Sequence, residues 1–334
     1  MGKSVMLYSE FAEVYDALGD TSKRLVKEAV LSDFLKVLKE KGEPEWIYLL
    51  RGKVTPDYDE RILGLSDKLV AKAIAFSFGV NEKDISKRYE KIGDLGLLAE
   101  EFGKKKKQQS LFSKKLTAGK VFDNLRKIMV IEGKGAVQGK INLVAELLGQ
   151  ATGSEAKYIV RTLLGQLRVG VADATVRDAI AEACFPGEKS EMSAKLGKAY
   201  DMVNDFAEIF AAATKGKKAI EKIDLVLGRP MNVMLPVKVT EIAEAFRICG
   251  KPAAIEHKYD GFRVVINKKG DDVKLFTRRL DNVTKQFPDV VKVIRTHVKA
   301  KDAILDSEVV GYDPKTKRQR PFEAISQRIR RKYD

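Results

Sequence analysis

Glu256-His257-Lys258-Tyr259-Asp260-Gly261-Phe262-Arg263 is the stretch on which the reading of this chain turns. An Asp-Gly pair is a turn signal, and apolar segments flank it on both sides. The pattern places the Lys258 amine beside a tight turn at a sheet edge, with Arg263 five residues on and able to reach the same anion. A lysine amine is a nucleophile only when deprotonated, and nearby cations or desolvation favour that form. An ordinary surface hairpin that happens to carry a lysine has the same residue types, so both readings stand at this point.

Outward from this stretch the pattern is strand-like. Ala254 to His257 suggests a strand. Arg263 to Lys268 and Val273 to Thr277 bracket Lys269-Gly270-Asp271-Asp272 as a hairpin, and Ile304 to Tyr312 suggests a further strand. Upstream, Pro230-Met231-Asn232-Val233-Met234-Leu235-Pro236 disfavours helix and reads as an extended connector. The 229 residues before it read as helical. Phe11, Val14, Tyr15 and Leu18 share one spacing. Between Thr21 and Lys41, Leu25, Val26, Val30, Leu31, Phe34, Leu35 and Leu38 form a broad apolar face. Further helices are expected over Leu63–Phe78, from Ile85, over Ala118–Ile131 and Gly139–Ala151, from a Ser154 cap, and over Asp173–Cys184, Ser193–Thr214 and Lys217–Leu227. Gly93-Asp94-Leu95 reads as a turn. Residues 103–120 carry seven lysines and no acid, and read as an exposed loop.

The chain has 334 residues, which suits two domains, and 44% hydrophobic residues supply real cores. Its 62 Lys and Arg against 47 Asp and Glu give a formal charge of +15, favouring a polyanionic partner. Cys184 and Cys249 exclude a disulfide framework, and His257 and His297 leave no His-based zinc centre. The N-terminus has no signal-peptide apolar core, and no stretch approaches the roughly 18 apolar residues of a membrane span. A cytoplasmic protein is expected.

Lys258-Tyr259-Asp260-Gly261-Phe262-Arg263 resembles the Lys-x-Asp-Gly-x-Arg signature of ATP-dependent DNA ligases and mRNA capping enzymes. Phe276-Thr277-Arg278-Arg279, Leu305-Asp306-Ser307-Glu308, and Pro321-Phe322-Glu323 with Gln327-Arg328 resemble later motifs of the same family, although Ser307 replaces its common glycine. Residues 155–181 and Gly133-Lys134-Gly135 resemble the helical DNA-binding domain of archaeal and eukaryotic replicative ligases. Capping enzymes and most RNA ligases lack such a domain, so the sequence is identified as a member of the archaeal-type ATP-dependent DNA ligases. An RNA-sealing or capping nucleotidyltransferase is the alternative of the same chemistry. A DNA-binding module with an inert half domain is the alternative of a different class.

The resemblance implies an all-α DNA-binding domain over 1–229, the connector 230–236, and the first part of an α+β nucleotidyltransferase domain with an ATP-grasp-like ligase fold over 237–334. Later family motifs and a C-terminal OB-fold domain are not in this sequence, and a truncated chain is expected. By position, Lys258 is the implied adenylate acceptor. Glu256 is implied to bind the adenine amine, Arg263 AMP, Arg278 the 5′-phosphate of a nick, and Glu308 the ribose. A guanidinium fork suits phosphate oxygens, and a carboxylate accepts from an amine or hydroxyl. ATP and Mg2+ are the implied cofactors, with the main metal ligand expected in the missing part. Nicked duplex DNA is the implied partner, and the protein is expected at the nucleoid. A sliding clamp stays open as a second partner, no strong clamp-binding peptide being evident. Gly133, Lys134, Gly135 and Lys140 place glycine backbone and charge before helices, where backbone N–H groups bind phosphate. Arg161 and Arg168 are expected to add DNA contacts, or else to solvate a helix pair.

Overall fold

The computed structural model describes residues 5–105 and 115–330. The chain divides into two compact units, one of residues 1–200 with 205–223, the other of 201–204 with 224–334.

The first unit is helical: α1 Tyr8–Gly19, α2 Arg24–Lys41, α3 Asp67–Phe78, α4 Glu82–Ile92, α5 Leu95–Lys105, α6 Ala118–Val130, α7 Ala136–Gln150, α8 Gly153–Leu163, α9 Asp173–Cys184, α10 Lys189–Val203 except its last three residues, α11 Phe206–Lys215 and the short α12 Lys217–Ile220. A 3-10 helix runs over Pro44–Arg51. Tyr8, Phe11, Tyr15, Leu31, Leu35 and Leu38 are fully buried where α1 and α2 meet their neighbours. The loop expected over 103–120 is helical to Lys105, and Thr117 caps α6 through a bond from the Lys120 N–H (3.2 Å). The rest of that loop, 106–114, lies outside the described residues, as does the chain after Arg330.

Several boundaries differ from expectation for local reasons. Thr152, not Ser154, caps α8, in a reciprocal box with Glu155 (2.7 Å from the Thr152 N–H). The helix expected from Gly139 starts at Ala136, after Gly135 in the left-handed region (φ 87°). The single helix expected over Ser193–Thr214 is two. Asn204 adopts φ 50°, and Asp205 accepts from the Ala207 and Glu208 N–H groups (2.9 and 3.2 Å) to start α11 afresh. On α2, Leu25 and Val26 are 73% and 44% exposed, while Lys27 and Glu28 are buried.

The second unit holds α13 Ile242–Cys249, β1 Phe262–Lys269, β2 Asp272–Thr277, α14 Pro288–His297, β3 Asp302–Val309, β4 Gly311–Tyr312, β5 Gln319–Arg320 and α15 Glu323–Arg330. β1 is central in an antiparallel sheet of order β2-β1-β3, and β4 pairs with β5. Gly270 (φ 57°) and Asp271 form the two-residue hairpin loop between Lys269 and Asp272. Because side chains alternate across a strand, Phe262, Val264 and Ile266 share one face. They pack with Leu275, Phe287, Val291, Ile294 and Ile325 as one core. Ala254 to His257, expected as a strand, has no regular structure and pairs with no strand among the described residues. The strand expected over Ile304–Tyr312 is interrupted at Val310.

Candidate active site

The segment 256–259, outside any helix or strand, enters β1 through a bend at Asp260-Gly261. Only glycine fits there. A Cβ on Gly261 would lie 2.4 Å from the Val309 carbonyl oxygen, at the end of β3. Asp260 holds the bend from the other side, its Oδ2 accepting from the Phe322 N–H (3.2 Å) just before α15. These two contacts place Lys258 at the mouth of an open cleft of about 390 Å³. Glu256, His257, Lys258 and Tyr259 line one wall, and Arg263, Asp306, Ser307 and Glu308 the other. Lys258 is exposed, with Nζ 3.4 Å from the Tyr259 carbonyl.

The second wall follows from strand register. Arg263 on β1 lies opposite Glu308 on β3, and Val265 opposite Asp306. Arg263, Asp306 and Glu308 therefore share one face. The Arg263 fork is engaged by Asp306, Nε to Oδ1 at 2.9 Å and Nη2 to Oδ2 at 2.5 Å, while Nη1 donates to the Met234 carbonyl (2.6 Å). The hydrogen bond from Arg263 holds the Asp306 carboxyl below its ordinary range, against a smaller effect of burial. In the sequence Asp306 stands inside the Leu305-Asp306-Ser307-Glu308 motif with no role of its own, because the pairing depends on cross-strand register. Four sequence-predicted residues thus meet at one cleft: Glu256, Lys258, Arg263 and Glu308. Arg278 does not line it. It is exposed in the turn after β2, where the Thr277 N–H donates to the Asp281 carbonyl (2.9 Å).

Chemically, the cleft offers a reachable amine, a guanidinium that can exchange its carboxylate for a phosphate, and two exposed carboxylates, Glu256 and Glu308. Among the described residues no group of three or more His, Cys, Asp or Glu comes together to hold a metal ion.

The residues singled out in the helical unit fall into two groups. Gly133 (φ 83°), Lys134 and Gly135 are exposed ahead of α7, where the first amides of a 15-residue helix start. Lys140, instead of preceding the helix, sits one turn inside it and donates to the Leu63 carbonyl (3.1 Å). Arg161 and Arg168 converge on one buried carboxylate. Asp94 Oδ2 accepts from Arg161 Nη2 at 2.8 Å and from Arg168 Nη1 at 3.2 Å. Its Oδ1 caps α5 by accepting from the Gly96 and Leu97 N–H groups (2.8 and 3.3 Å). Burial raises the Asp94 pKa, but the hydrogen bonds and charge of the arginines outweigh it and bring the carboxyl below its usual range. Asp94 was legible only as a turn residue, since its partners lie 67 and 74 positions away.

The pattern of a family described as "DNA ligase N terminus" matches residues 7–181, and that of an "ATP dependent DNA ligase domain" matches 233–334. The chain belongs to the ATP-dependent DNA ligase family. Over 98% of its length it is 42% identical to a DNA ligase of Nanoarchaeum equitans, covering 57% of that protein. It is 38% identical to DNA ligases of Thermococcus fumicolans and Methanothermobacter thermautotrophicus, covering 58% of each. The chain therefore spans a little over half the length of these ligases. Within the family frame, the helical unit carries the N-terminal ligase region, and the second unit carries a partial α+β nucleotidyltransferase domain with small sheets. Among the described residues no helix is long and apolar enough to cross a membrane.

Proposed function

We propose that this protein is an ATP-dependent DNA ligase that seals nicks in duplex DNA, serving replication, repair and recombination. The observation that carries the reading is the cleft that Lys258 lines together with Arg263 and Glu308, the latter two paired across the β1–β3 register. The family and its similarity to archaeal DNA ligases support it.

In this reading the deprotonated Lys258 amine attacks the α-phosphorus of ATP in line with the leaving pyrophosphate, forming a P–N bond as the P–O bond to pyrophosphate breaks. The 5′-phosphate of a nick then attacks the same phosphorus and releases the lysine. Finally the 3′-hydroxyl attacks the activated 5′-phosphate, and AMP leaves. Glu256 accepts from the adenine amine and Glu308 from the ribose. Arg263 turns from Asp306 to the nucleotide phosphate, and Arg278 meets the 5′-phosphate. Magnesium, when bound, would neutralise the negative charge that develops on the phosphates in each step. Gly133, Lys134, Gly135 and Lys140, with the half-exposed Arg168, supply contacts along the DNA backbone without reading bases, while the largely buried Arg161 serves the helix pair through Asp94.

Intact-mass spectrometry after incubation with ATP and magnesium tests the first step. An AMP adduct is expected on the chain and none on Lys258→Ala. An adduct that persists in the variant would refute the assignment of the nucleophile.

A further inference from the structure

α2 buries Lys27 at 9% exposure, and none of the roles assigned above uses it. A buried ammonium is uncommon and needs acceptors to offset its desolvation. Its Nζ donates to the carbonyls of Val169 (2.5 Å) and Gly170 (3.0 Å). Both belong to the turn Gly165–Gly170 that joins α8 to α9.

That turn is conformationally expensive. Gly165, Arg168 and Gly170 all have positive φ, at 65°, 58° and 60°. An arginine in the left-handed region persists only where its surroundings over-determine it. Here three contacts do so. Leu167 packs against Gly52, whose added Cβ would lie 3.1 Å from the Leu167 Cβ. Arg168 is tied to Asp94 and to the Gly93 carbonyl (3.4 Å). Lys27 draws in the last two carbonyls from below.

The direction of those carbonyls has a consequence. In a planar trans peptide, the C=O of one residue and the N–H of the next point opposite ways. Drawing the Val169 and Gly170 carbonyls toward Lys27 therefore turns the N–H groups of Gly170 and Val171 away from it. Gly170 is exposed and Val171 half-buried, and among the described residues neither amide has a backbone acceptor. Asp173, which opens α9 nearby, has its charge met by Arg51 Nη2 at 2.7 Å.

We propose that Lys27 is a positioning residue for DNA binding: by holding the Val169 and Gly170 carbonyls inward, it presents the Gly170 and Val171 N–H groups to a phosphate of the DNA backbone. This rests on the DNA-ligase reading above. It needs no side-chain contact from Lys27 to the nucleic acid. Successive backbone amides suffice to bind an anion.

The test uses the 15N-labelled chain titrated with nicked duplex at low salt, with anisotropy giving Kd. In the unaltered chain, the Gly170 and Val171 amide resonances shift and saturate with that Kd. In Lys27→Met, affinity falls about tenfold, as for a lost set of hydrogen bonds to a charged group. The two amides then stop responding, while those of Lys134 and Gly135 keep their response. Lys27→Arg, which restores a donor, recovers part of the loss. Gly170→Ala breaks the same contact from the turn side, since its Cβ would lie 2.8 Å from the Lys27 Nζ, and it serves should Lys27→Met fail to fold. An affinity within twofold of the original, or an unchanged Gly170 and Val171 response in a folded variant, overturns the role of Lys27. No binding of nicked duplex by the unaltered chain overturns the DNA reading itself, and this role with it.

Discussion

Asp94 is the residue whose replacement separates two of the forces that build the helical unit. Its Oδ1 caps α5, and its Oδ2 is the counter-ion of Arg161 and Arg168. Asp94→Asn retains a good cap and removes the charge. Asp94→Ala removes both. The Arg161 side chain is 15% exposed and Asp94 6%, so this pair is close to the buried limit, where stripping one partner costs roughly 3–5 kcal/mol. Asparagine still offers a neutral acceptor, which brings the expected cost to about 2–3 kcal/mol. Arg168 is 48% exposed and adds at most about 1 kcal/mol after solvent screening. Loss of the cap in Asp94→Ala adds roughly 1 kcal/mol more.

Urea unfolding measures this directly, because the single tryptophan reports on the correct unit. Trp46 lies in the 3-10 helix over Pro44–Arg51, near Gly42 at the end of α2 and Gly119 of α6. With a slope of about 3 kcal/mol/M, the midpoint should fall by roughly 1 M in Asp94→Asn and by a further 0.3 M or so in Asp94→Ala. A shift below about 0.2 M in Asp94→Asn would show that the carboxylate is not the partner that keeps Arg161 buried. Equal shifts in the two variants would show that capping contributes nothing.

Other outcomes follow from the same geometry. Gly261→Ala should destabilise the second unit by about 1–2 kcal/mol, since overpacking against a backbone oxygen exceeds the gain from a less flexible unfolded chain. Hydrogen exchange of the β1 and β3 amides should rise about tenfold, and unchanged protection would mean that β3 yields freely. The Asp94 and Asp57 carboxyls are both held below their ordinary range, after burial is outweighed by arginine and, for Asp57, lysine partners. Their stabilising contribution is thus complete above the ordinary carboxylate pKa and is lost as pH falls through the lower folded values. Acid unfolding followed at Trp46 should be less steep in Asp94→Asn, which has one such carboxylate fewer.

Much of this was legible because it is local. The hairpin turn at Gly270 and the Gly93-Asp94 break carry their own signals. So does the apolar spacing of α1, read from Phe11, Tyr15 and Leu18. The failures have a common physical cause. Asn204-Asp205 lies inside an apolar stripe that continues from α10 into α11, so periodicity hid a break that a positive φ and a side-chain cap impose. Leu25 and Val26 fit the stripe of α2, yet it is Lys27 that turns inward, because it finds two carbonyls 142 and 143 positions away. Ala254 to His257 has strand-like composition but meets no pairing edge among the described residues.

The Lys-x-Asp-Gly-x-Arg segment shows why a short motif carries more than its own residues. Lys258 is exposed, and among the described residues its Nζ donates only to the neighbouring Tyr259 carbonyl at 3.4 Å, so its position must come from its neighbours. Gly261 permits the bend to press against Val309, and Asp260 ties it to Phe322, 62 positions on. Arg263 then aligns with Asp306 through the β1–β3 register. Each of the motif's remaining fixed positions is thus a point where β3 or the start of α15 is fastened to the segment bearing the amine. The spacing of the motif is the spacing of those attachments. Any change that frees one of them should move the amine, although the lysine is untouched.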